Sequence, residues 1–418
     1  MKVVHVARRP AGASATGARA VQPRAAARAG RAAAPRRLAV ALALGLGLAT
    51  GQAAPPVVAV PFYDAGHFVQ GLHRELTAPA ARRFADDSAA LVGAMHAHCD
   101  PGGAGSLGEA RRRWTTAVGA WERLSALAVG PLLERRSLRA IDFAPVRPAL
   151  IERAIAAHPQ GAEDMERVGT PAKGLPTLEW LLWTRPVQRG TPACAYAVEV
   201  AADVEREAQA LAGEFTALAA NDWSGDESAG PAMAEALNQW LGGIERLRWA
   251  QMERPLRSQG GDAEAGATGA GSAAPGPDRA GGAAGASAAE PAEAGAASRR
   301  DPAGFPRQAS GQTAAAWSAE WDTLRRLGRA PAGREPPRPG EGLVPFETYL
   351  RGRGLNPQAD ALRRAIDTAD AALRGLTPGS RPRVLGAARA LQALSGLVES
   401  QVAPALQVSI GFSDADGD

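Results

Sequence analysis

Apolar residues return at intervals of three and four along most of this chain, and runs of alternating β-branched residues are nearly absent. Such spacing lines one face of an α-helix with apolar side chains, and it does not fit a half-buried strand. Residues 107–128 carry Trp114, Val118, Trp121, Leu124 and Leu127 in this register, and 197–218 carry Val200, Val204, Ala208, Leu211, Phe215 and Leu218. The pattern returns in 237–248 (Leu237, Leu241, Ile244, Leu247), 359–373 (Leu362, Ile366, Ala369, Leu373) and 384–398 (Leu391, Leu394, Leu397, Val398). It predicts an all-α protein built of helical bundles with short connections.

Two segments break the pattern. Residues 258–311 are dominated by Gly, Ala, Ser, Pro and Glu, with almost no large apolar residue before Phe305. A stretch of this composition buries too little to offset its ordering entropy, so a disordered insertion is expected there. It divides the rest into an N-terminal part, 54–257, and a C-terminal part, 312–418.

The other segment is residues 1–53. The 418-residue chain carries a formal +4, from 47 Lys and Arg against 43 Asp and Glu. Nine of those basic residues and no acidic one lie in 1–53, so the remainder is mildly acidic at −5. Arg36-Arg37 precedes an apolar run from Leu38 to Ala49, and Gly51-Gln52-Ala53 offers small residues around a cleavage point. This is the layout of a secretory signal behind an Arg/Ala-rich extension. The run is shorter than the roughly 20 residues a spanning helix needs. No Cys follows Ala53 to take a lipid anchor. The expected location is the periplasm or cell envelope, and with the positive charge removed a nucleic-acid partner is not expected.

Export bears on Cys99 and Cys194, the two cysteines of the chain. In an oxidising compartment they are expected to form one disulfide. The alternative is a metal site at His96-Ala97-His98-Cys99, although two His at i, i+2 do not share a helix face.

Three stretches depart from ordinary bundle sequence. The helix with Trp114 and Trp121 runs to Gly130-Pro131 and is followed by Ile141-Asp142-Phe143-Ala144-Pro145-Val146-Arg147-Pro148. Asp142 and Arg147 there read either as members of one pocket or as a structural ion pair in a stiff turn. In Gly174-Leu175-Pro176-Thr177-Leu178-Glu179-Trp180-Leu181-Leu182-Trp183, Pro176 suits a first helical turn and Glu179 the favourable N-terminal end. A carboxylate among such neighbours needs a partner, a metal or a proton, unless it only caps the helix. At the C-terminus, Asp414, Asp416 and Asp418 are either hard-cation ligands or a solvated acidic tail.

Together these stretches resemble the imelysin family of bacterial cell-envelope proteins. The resemblance rests on the Trp-rich helix ending in Val129-Gly130-Pro131, the Ile141-Asp142-Phe143…Arg147-Pro148 loop and Gly174…Glu179 entering an aromatic helix. It continues through Cys194-Ala195-Tyr196 and Pro404-Ala405-Leu406…Gly411-Phe412…Asp416-Gly417-Asp418, and spans 60–257 and 312–418. It implies two helical-bundle domains with a site where they meet. The family is known for a Gly-x-His-x-x-Glu motif, which led to proposals of metallopeptidase activity and of iron binding. Here the His position is Pro176, so only Gly174 and Glu179 carry over. Proline offers no ligand atom and transfers no proton, and the chain has no His-Glu-x-x-His pair for a zinc peptidase.

The leading expectation is therefore a non-catalytic exported protein. It would bind a metal ion, iron or another divalent cation, or a small ligand through Glu179, Asp142 and Arg147 beneath Trp114 and Trp121. Glu179 and Asp142 are the metal candidates, as oxygen donors suit hard cations. Arg147 would instead suit an anionic ligand. The alternatives are a helical scaffold docking an envelope or membrane protein partner and, third, the metallopeptidase.

Overall fold

The computed structural model describes residues 59–258 and 304–411. The leader at 1–53, most of the expected insertion and the aspartates at 414, 416 and 418 lie outside these residues. Among the described residues every regular element is helical, as the spacing predicts. The elements that frame the site and the core are α1 (Ala65–Leu72), α2 (Ala78–Cys99), α3 (Leu107–Ser125), α4 (Gly174–Glu179), α5 (Pro192–Ala220) and α6 (Ala229–Glu245). After residue 303 come α7 (Thr313–Gly328), α8 (Asn356–Leu373) and α9 (Arg381–Leu397), and the other helices are named by their ranges.

Local sequence sets the ends. Ser106 caps α3 by accepting the Glu109 backbone N–H, and Thr191 caps α5 by accepting that of Cys194. Each cap satisfies a donor that the first turn leaves open. Pro192 occupies the start of α5, where a missing N–H costs nothing. Four helices widen into π-helical turns, at His73–Thr77, Trp180–Thr184, Arg246–Glu253 and Val398–Val402. One of these directly follows Glu179.

The apolar stripes pair off into two groups. In the first, α2 lies against both α3 and α5, with α4 packed on α5. In the second, α8 lies against α9, and α6, α7 and the Phe346–Gly352 helix complete the set. Helix α6 precedes the insertion in sequence yet packs with the helices that follow it. The groups meet where α7 crosses α3 and where α1 rests on α6. One contiguous apolar core runs through both and includes the fully buried Trp114, Trp121 and Trp240.

Cys99 and Cys194 are joined in a disulfide, with Cα atoms 5.3 Å apart, tying the end of α2 to the start of α5. The bond closes a loop of 95 residues and contributes about 4–5 kcal/mol by loop-closure entropy. The rival metal site is not formed: His96 pairs with the exposed Asp100, and His98 faces the Val187 carbonyl.

Candidate functional site

Helix α3 presents two consecutive residues to the junction between the helix groups. Trp121 continues its apolar stripe, and Glu122, four residues beyond Val118, is buried beside it. The loop after the Ser137–Ile141 helix brings Asp142 alongside, and the Trp121 indole donates to Asp142 Oδ2 at 3.1 Å. Helix α4 delivers Glu179. Its entry is set by Gly174, whose φ of +83° and close approach to the Ile141 carbonyl exclude a side chain there. A Cβ at that position would lie 2.3 Å from that oxygen.

The residue that joins these acids comes from the end of the stretch expected to be disordered. Residues 304–311 enter as an ordered turn anchored by Phe305, which packs edge-on against Trp317. Arg307 takes a left-handed conformation, with φ of +60°, and its carbonyl accepts the Gln312 N–H. Its guanidinium donates through Nε to Glu122 Oε1 at 2.9 Å and through Nη2 to Asp142 Oδ2 at 2.7 Å. The same turn donates the Ser310 N–H to Glu179 Oε1 at 2.8 Å. Side-chain exposure is 3% for Arg307 and Glu122 and 28% for Asp142, so the cluster is dry on one side and open at Asp142. Burial alone would lower the pKa of Arg307, but Asp142, Glu122 and Glu179 outweigh it and raise the pKa, holding the guanidinium charged.

The structure sorts the residues singled out by sequence. Asp142, Glu179 and Trp121 come together. Trp114 lies behind them, donating its indole N–H to the Leu175 carbonyl at 3.1 Å and packing against Trp183, so it props α4. Arg147 does not join: it is exposed, precedes the Pro148–Ala157 helix and lies over the Phe143 ring. Its proximity to Asp142 in sequence is undone because the next residue starts a helix that carries the chain away. Pro176 is buried inside the first turns of α4. Glu179 sits at the last residue of that helix rather than in its first turn, so the Ser310 N–H, not the helix N-terminus, satisfies it.

Glu122 and Arg307 were not anticipated. Glu122 had a signal, a charged residue at a helical interval within an apolar stripe. Arg307 had a weaker one: Phe305-Pro306 marks where the chain regains apolar anchors after the Gly/Ala tract.

These donors do not fit a metal. The carboxylates of Glu122 and Asp142 accept from a guanidinium, and that of Glu179 accepts from a backbone amide. Among the described residues no three His, Cys, Asp or Glu form a metal-holding group. Two surface cavities, of about 550 Å³ beside Trp249 and about 460 Å³ beside Trp321, are lined by other residues. The arrangement therefore forms an ionic clasp. It ties α3 and the Asp142 loop to the Arg307 guanidinium, and α4 to the Ser310 amide of the same turn.

Known proteins fit this architecture. The family model for peptidase M75, Imelysin, matches residues 77–403. An imelysin-like protein from Psychrobacter arcticum 273-4 superposes with a TM-score of 0.56 at 18% identity, over 83% of this chain and 97% of that one. A putative iron-regulated protein A precursor from Parabacteroides distasonis ATCC 8503 gives 0.55 at 15% identity, over 83% and 96%. No curated protein matches the chain. At these identities the two structures speak for the fold, and the family match over most of the chain assigns it: this protein belongs to the imelysin family.

Proposed function

We propose that this protein is an exported, non-catalytic helical scaffold that docks a partner in the cell envelope, its motif region serving as the joint between its helix groups. The observation that carries the reading is Arg307, whose guanidinium lies on the acids that would otherwise attract a cation. A carboxylate already bonded to a guanidinium is a poor metal ligand and a poor base, and Pro176 supplies neither role. The basic leader with its apolar run supports export. No described helix is long and apolar enough to cross a membrane. One structural relative is named an iron-regulated precursor, which makes iron the first ion to test.

A thermal-shift series with ferrous, ferric and other divalent ions, run beside Glu179→Ala, checks this reading. The scaffold reading predicts that no ion raises the melting temperature by mass action. A saturable rise that Glu179→Ala abolishes would establish a metal site and overturn it.

A further inference from the structure

Helix α7 carries an acid on its buried face that the clasp does not use. Glu320, 1% exposed, stands among Trp317, Trp321 and Leu324 and packs toward α3. The Gln251 amide, from the π-helical turn after α6, donates to Glu320 Oε1. Glu320 Oε2 is buried without a partner among the described residues, on the face of α7 that packs on α3, where Thr323 donates to the carbonyl of Arg123, the neighbour of the buried Glu122.

Two carboxyl groups do not face each other in a dry interior unless a proton or a cation stands between them. Neither nearby guanidinium hydrogen-bonds Glu320. Arg307 approaches Glu122 through Oε1 and extends to Asp142, while Arg246 donates to the Ser125 carbonyl. A proton on Glu320 would satisfy the orphaned oxygen by giving it a hydrogen bond to offer to Glu122.

We infer that Glu122 and Glu320 share one proton, Glu320 donating its O–H to the Glu122 carboxylate, and that this proton makes the α3–α7 joint pH-sensitive. The groups facing Glu320 agree. Burial and then the Glu122 charge hold its proton well above the ordinary carboxylate range, against weaker opposition from Arg246 and Gln251. Around the rest of α7, Asp370 of α8 pairs with Arg325 and Asp367 with Arg329, further along the helix. In the Phe346–Gly352 helix, Glu347 pairs with Arg351.

The direction follows from linkage. A carboxyl whose folded pKa is raised keeps its proton after the unfolded chain has lost it. Its stabilising contribution is therefore complete below the ordinary value of 4.5 and is lost as pH rises through the folded value. His73 acts in the opposite sense. Burial lowers its pKa from 6.5 to about 4, so it adds stability as pH rises across that interval. The two must be separated by mutation.

Urea unfolding of the full chain and of Glu320→Gln, from about pH 5 to about pH 9, makes the separation. The amide keeps the shape and a donor but does not titrate. The wild-type unfolding constant, divided by that of Glu320→Gln, should rise about tenfold per pH unit until Glu320 ionises in the folded state. A ratio that is flat or falls with pH overturns the proposal. Infrared spectroscopy of the wild type stands apart from the variant's ability to fold. At neutral pH a protonated-carboxyl C=O band should be present in the folded protein and vanish on unfolding at the same pH. No such band would also overturn the proposal.

Discussion

Among the arginines that each bridge a pair of carboxylates, Arg135 and Arg307 differ chiefly in water. Arg135 reaches Glu207 at 2.7 Å and Glu214 at 2.8 Å with a third of its side chain exposed. Arg307 reaches Asp142 at 2.7 Å and Glu122 at 2.9 Å with 3% exposed. The distances alone would rank them as equals. Solvent weakens the first, whereas in the second Arg307 and Glu122 depend on each other because water reaches only the Asp142 side. The Arg135 cluster also stays within the first helix group, joining the segment after the Pro131–Glu134 helix to α5, while Arg307 spans the two groups.

The comparison breaks most visibly at Arg307. Substituting Met keeps the length of the stem but strands Glu122 and Asp142, and should cost about 3–5 kcal/mol in urea unfolding. It should also loosen the 304–311 turn, detected as faster amide hydrogen exchange at Ser310. Arg135→Ala is the mild counterpart, expected to cost about 1 kcal/mol or less. Its pH dependence sharpens the contrast. Burial would raise the pKa of Glu207, but bonds from Arg135 and Ser137 overcome this and lower it below 4.5. The stability this contributes is present above the unfolded value and fades as pH falls, so the cost of Arg135→Ala should shrink in acid. Stability tied to Glu320 runs the other way.

Much of the fold was legible because helices announce themselves locally. The stripe from Trp114 to Leu127 became α3, and the stripe from Val200 to Leu218 became the body of α5. The disulfide followed from the expectation of export and the cysteine count. Within the site, Asp142 was visible as a charge among Ile141, Phe143 and Pro145, and Glu179 as one among Pro176, Leu178 and Trp180. Arg307 was not, for a physical reason: its partners Glu122 and Asp142 lie 185 and 165 residues away. Side-chain spacing along one helix carries no information about a contact closed across the whole fold. The low-complexity tract before it also drew the turn into the expected insertion, although Phe305 is buried and holds the turn in place. Arg147 was the opposite error, a residue near in sequence that the Pro148 helix start leaves in solvent.

Arg307 bonds buried acids across the two helix groups, which makes it a joint between them rather than the lining of a pocket for an outside ligand. A double-mutant cycle between Arg307→Met and Glu122→Leu, followed by urea unfolding at neutral pH, tests it most directly. If the clasp is structural, removing both charges costs much less than the two single losses combined, with a coupling of roughly 2 kcal/mol or more. Additive losses, with Arg307→Met alone costing under about 1 kcal/mol, would contradict it and return the acids to the role of ligands.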